Sequence, residues 1–173
     1  TLVELMMVIA IVGIMSGIAI TMMLRYYPDY QARGAARSLV ANLQQARMEA
    51  IRSDGNVVIE LTPGVATNTG RVGSYRAFVD DGAGGGVSRN NIRDGTERIL
   101  FAVAMPDRVS LSNLVGFTPA ADPGAVAGTR YTRYNGRGIL SAVADVGTIT
   151  LGSGTIIYTV ALSNAGYIRL GVL

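Results

Sequence analysis

The pattern of apolar and polar positions divides the chain into three stretches. Residues 2–24 read LVELMMVIAIVGIMSGIAITMML, apolar on every side, with Glu4 the one charge and Ser16 and Thr21 the only hydroxyls. At about 1.5 Å per residue, a helix of this length spans roughly 35 Å, enough to cross a hydrocarbon core of about 30 Å. A secretory signal peptide is the rival reading. The lack of a basic region before the run, and of a small-residue cleavage site after it, counts against that.

From residue 25 the pattern becomes amphipathic. Tyr26, Tyr27 and Tyr30 form an aromatic belt of the kind found at membrane–water interfaces. Pro28 predicts a kink, and Asp29 could cap a new helical start. Ala32, Ala36, Leu39, Leu43, Ala46 and Ala50 then recur at steps of three and four, a helical stripe running to about Arg52. Its small residues suit close packing on a sheet. Ser53-Asp54-Gly55-Asn56 ends it. Arg33, Arg37, Arg47, Glu49 and Arg52 lie off the stripe and are expected to be solvated or to pair with neighbours.

Beyond residue 55 short β-type runs alternate with glycine-rich turns. The expected strands are 56–61, 75–79, 98–104, 109–111, 131–134, 148–151, 158–163 and 167–170, the last two joined by a tight turn at Asn164-Ala165-Gly166. The chain is thus expected to be α+β: a long N-terminal helix, apolar in its first half, packed against an antiparallel β-sheet head. Its regions are a transmembrane or filament-core helix at 1–24, an amphipathic continuation at 25–54 and a β-rich globular head at 55–173.

Composition narrows the chemistry. With no Cys and no His among 173 residues, disulfides, His/Cys zinc sites and the usual thiol and imidazole catalysis are excluded. All 15 basic residues are Arg against 12 acids, and a net charge of +3 is too mild to demand an anionic partner. No catalytic constellation and no cofactor site is evident, so an enzyme is not expected.

Glu4 needs an explanation, because a carboxylate at membrane depth is costly without a partner. Arg25, the first basic side chain, would sit roughly 30 Å away along a straight helix. The cations within reach are the chain's own N-terminal amine and that of a neighbouring, axially staggered copy. In hydrocarbon such a pair would be strong enough to fix register between copies. The alternative is a Glu that reaches the headgroups and does nothing. Gly13, Ser16 and Gly17 either loosen the helix locally, at about 1 kcal/mol per Gly relative to Ala, or let helices approach closely.

The opening TLVELMMVIAIVGI resembles the mature N-terminus of type IV pilins and type II secretion pseudopilins. The helix text RSLVANLQQARMEAIRSDGNVVIEL, the segment FVDDGAGGGVSRNNIRDGTERILFAVAMPDRVSL and the closing GTITLGSGTIIYTVALSNAGYIRL are similar to the GspH/FimT branch. The resemblance implies a precursor cut by a prepilin peptidase, with an N-methylated Phe preceding Thr1. It implies that the Thr1–Glu4 region contacts a neighbour's N-terminus in a helical homo-oligomeric filament. It also implies a subunit held single-pass in the inner membrane, handed to pilus or secretion machinery, and ending in an extracellular or periplasmic fibre. The chain departs from many pilins in lacking a Pro within the apolar run. Arg25, Arg33 and Arg37 would, by the positive-inside rule alone, place the head in the cytoplasm. The family implies the opposite, through a removed basic leader.

Two further sites are weaker candidates. Asp80, Asp81 and Asp94, with nearby Asn and Glu oxygens, could hold calcium, although Arg89, Arg93 and Arg98 compete and the spacing is not that of an EF-hand. Arg130, Arg133, Arg137 and Arg169, interleaved with Tyr131, Tyr134, Tyr158 and Tyr167 and balanced only by Asp145, could bind nucleic acid. The G-R-x-R signature of DNA-binding FimT-like proteins reads Gly166-Tyr167-Ile168-Arg169 here, with one arginine missing. A structural filament subunit is the leading expectation. A DNA-capturing minor pilin, a minor pseudopilin at a secretion tip and a merely anchored domain are the alternatives.

Overall fold

A computed structural model gives the fold, with residues 1–64, 73–120, 122–141, 146–153 and 156–173 described. One helix, α1 (Leu2–Ser53), is 52 residues long. It passes through Pro28 without a break. Asp29 starts no new helix; it is an interior residue whose Oδ1 accepts a 2.6 Å hydrogen bond from Ser153 Oγ of the head. Proline's fixed φ is helical, so the segment loses one backbone bond there without having to stop. Asp54 ends the helix in the left-handed conformation (φ 46°), its N–H directed to the carbonyls of Ala50 and Ile51.

The head contains β1 (Val57–Pro63), β2 (Gly73–Val79), β3 (Ile99–Ala104), β4 (Ser110–Val115), β5 (Thr118–Pro119), β6 (Arg130–Tyr134), β7 (Gly147–Gly152), β8 (Ile157–Leu162) and β9 (Ile168–Val172). These form two antiparallel sheets, ordered β3-β2-β1-β6-β5 and β4-β7-β8-β9, rather than the one sheet expected. The expected β8–β9 turn is present, with Gly166 at φ +76°.

The stripe predicted on α1 is the buried one. Ala32, Ala36, Leu39, Leu43, Ala46 and Ala50 are fully buried, and Ala35 joins them. Alternate residues of both sheets meet this stripe: Val57, Ile59 and Leu61 of β1, Tyr75 and Ala77 of β2, Ile149 and Leu151 of β7, and Val160 and Leu162 of β8. Burying Leu39 and Leu43 contributes roughly 1.5–3 kcal/mol each. The alanines allow the helix backbone to lie close on the strands.

Candidate assembly surface

Every residue from Thr1 to Tyr27 is exposed, and burial on α1 begins only at Pro28. The apolar half of the helix therefore projects as a rod with no packing partner among the described residues of the head. Met6, Ile9, Ile14, Met15, Ile20 and Met23 each expose more than half of their surface. A monomer in water does not leave so long an apolar surface uncovered; such surfaces mark membranes or partner proteins. The helix passes the length and composition test for a membrane span.

The glycines on this rod meet nothing inside the molecule. A Cβ added at Gly13 or Gly17 would find nothing within 4 Å. Each of these glycines therefore costs the isolated helix about 1 kcal/mol relative to Ala without relieving any internal clash. Thr21 Oγ1 hydrogen-bonds back to the carbonyl of Ile18 at 2.8 Å and that of Gly17 at 3.3 Å. This satisfies the hydroxyl without a neighbour.

At the tip, the Thr1 amine donates to Glu4 Oε2 at 3.3 Å, while Glu4 N–H donates to Thr1 Oγ1 at 3.4 Å, a capping-box arrangement. Of the two cations weighed for Glu4, this is the chain's own. Both groups are exposed, so solvent screens the pair.

Several polar contacts hold the stalk to the head. Arg47 Nε donates to Gly138 O at 2.8 Å, and its guanidinium lies 5.9 Å from the centroid of the Tyr167 ring. Glu49 takes both Arg52 and Arg98, whose hydrogen bonds hold its carboxyl below the usual range. Asn42 Nδ2 donates to Tyr75 OH at 2.8 Å. Arg47 and Glu49 are thus docking residues within one chain rather than merely solvated ones. Their positions beside the buried 43-46-50 stripe were the available clue.

The carboxylates offered for calcium are engaged otherwise. Asp80, 2% exposed, accepts the backbone N–H of Arg89 at 2.5 Å and of Asn91 at 2.8 Å. Asp94 accepts from Val87 N and Asn90 Nδ2, and Asp81 from Ala83 N. Glu97 accepts from Gly82 N and Asp94 N, while burial pushes its carboxyl up. Among the described residues no group of three acids could hold a metal ion. These side chains instead shape the loop, in which Arg89 (φ 63°) and Asn91 (φ 61°) both sit in the left-handed region. That conformation costs about 1 kcal/mol or more per residue and persists because Asp80 binds both amides.

The basic residues offered for nucleic acid do not form one track. Arg133 and Arg137 line one cleft, joined by Arg89. Arg130 lies at the opposite end of β6, opposite Leu61 and Pro119, and Arg169 is exposed on β9 of the other sheet. Tyr134 and Tyr158 are core residues and present no stacking face; Tyr167 is exposed beside Arg47. Asp145 lies outside the described residues.

A search of curated proteins gives no match. Among solved structures, two crystal forms of the type IV minor pilin FimU of Pseudomonas aeruginosa are similar in fold. One shares 17% identity at a TM-score of 0.47, covering 80% of this chain and 91% of that one. The other shares 18% at 0.48, covering 83% and 90%. The family described as type II transport protein GspH matches residues 35–166, from the buried half of α1 through the β8–β9 turn. The match takes in more than half of the sequence, and the chain therefore belongs to the GspH family, in the type IV pilin and pseudopilin superfamily.

Proposed function

We propose that this protein is a structural subunit of a type IV pilus-like or pseudopilus filament, held in the inner membrane by α1 before assembly and buried through the same helix afterwards. The observation that carries this reading is the rod itself: residues 1–27 are exposed on every side while one face of residues 32–50 is packed on the head. Its glycines leave space that nothing in the chain fills. In lipid, small residues let helix backbones approach closely, and a bundle of such rods would bury all of their apolar faces. Glu4 then exchanges its own amine for that of a staggered neighbour, where exclusion of water strengthens the pair. GspH membership favours a minor position, at or near a tip, over repetition along the whole fibre.

The test is Glu4→Gln in producing cells. The variant is expected to remain in the membrane at the parental level and to fall at least tenfold in the sheared fibre fraction. Undiminished incorporation would contradict the pairing.

A further inference from the structure

A cleft of about 480 Å³ opens at the end of the head beyond the C-terminus of α1, between the 80–97 loop and the turn after β6. Three arginines, Arg89, Arg133 and Arg137, line it, with Asp54 the acid among the described lining residues. Neither Arg89 nor Arg137 makes a salt bridge within the described residues. Neutral polar groups, Asn135 and Ser141, complete the wall.

The cleft is held open by construction. Buried Asp80 clamps the amides of Arg89 and Asn91, which fixes two left-handed residues on either side of Asn90 and holds the Arg89 backbone at the cleft. Asn91 Oδ1 then accepts a 3.0 Å hydrogen bond from Arg133 Nη1, tying the loop to β6. On the far side, Asn135 Oδ1 accepts the N–H of Arg137 at 2.9 Å, which orders the turn that carries that arginine. Gly136 lets this turn close on the helix end, since a Cβ there would lie 2.3 Å from Asp54 Oδ1. Guanidinium forks match the paired oxygens of phosphate and carboxylate.

We propose that the Arg89–Arg133–Arg137 cleft is an anion-binding site that takes one phosphate or carboxylate group of an external ligand. The site lies at the opposite end of α1 from the exposed rod of residues 1–27. With Arg130 and Arg169 placed elsewhere on the head, the cleft offers a place for a single group rather than a track for a run of backbone charges.

The test uses the full chain in nonionic detergent, titrated calorimetrically with inorganic phosphate and, separately, with citrate. Saturable one-to-one binding of either supports the site, and the tighter of the two identifies the source chemistry. Arg137→Ala, at an exposed position, is expected to weaken that binding at least tenfold, and Arg137→Lys, which keeps the charge but loses the fork, by less. Arg169→Ala, on the other sheet, is expected to leave it unchanged. Three results would overturn the proposal: no saturation by either anion at millimolar concentration, an equal loss in Arg169→Ala, or binding only to a single-stranded oligonucleotide with a salt slope showing several phosphates engaged.

Discussion

Tyr134 is fully buried in the core, and its hydroxyl has no hydrogen-bond partner among the described residues. Burial pushes the phenol up to about 12 from an ordinary 10, with nearby Arg47 pulling weakly the other way. A raised folded-state value means that the stabilisation is whole below pH 10 and is lost between pH 10 and 12. In that window the unfolded chain ionises first. The loss is on the order of 3 kcal/mol. Tyr134→Phe should flatten that part of the pH–stability curve and leave stability at neutral pH equal or higher, because it removes an unsatisfied buried group. Chemical denaturation at pH 8 and pH 11 checks both statements. Gly17 makes a different residue-scale prediction. Gly17→Ala should stabilise the isolated helix by about 1 kcal/mol, seen as increased helicity by circular dichroism in detergent. Gly17→Leu should keep that gain yet reduce recovery in fibres if, as proposed, a neighbouring helix uses the space that Gly17 leaves.

Among the elements, α1 was the most legible from sequence and the sheets the least. Six positions at helical spacing, from Ala32 to Ala50, identified the buried face, because a 3.6-residue period is a local property of the chain. The division of strands between two sheets was not visible, since β1 pairs with β6 some seventy residues on and no local pattern records that choice. Two-residue β5 is too short to carry alternation, and β4 reaches Val115 past an irregularity between Ser112 and Val115. The Asp80 clamp was hidden for another reason: its partners are backbone amides in left-handed conformations, which leave little trace in composition. The seam between helix and head is open to direct measurement. Leu43→Ala should cost about 2–5 kcal/mol. Arg47→Ala should cost about 1–3 kcal/mol through the lost bond to Gly138 and the lost contact with Tyr167. Equilibrium unfolding of the head signal would read both.

At the scale of the whole molecule, the chain is a folded head on a rod whose leading half is built for surroundings other than water. Under the proposed function, membrane storage and filament burial would meet the same requirement in succession: each would cover residues 1–27 with apolar surface, and only the second would bring protein to Gly13, Ser16 and Gly17. The anchored-domain alternative shares the first step and lacks the second. The most direct separation of the two places a photocrosslinking amino acid at Ile9 in producing cells, with products from the sheared fibre fraction identified by mass spectrometry. The account predicts adducts to the N-terminal helix of another subunit, of this chain or a related one, and their loss in Glu4→Gln. Adducts to lipid alone, with the chain confined to the membrane fraction, would contradict it.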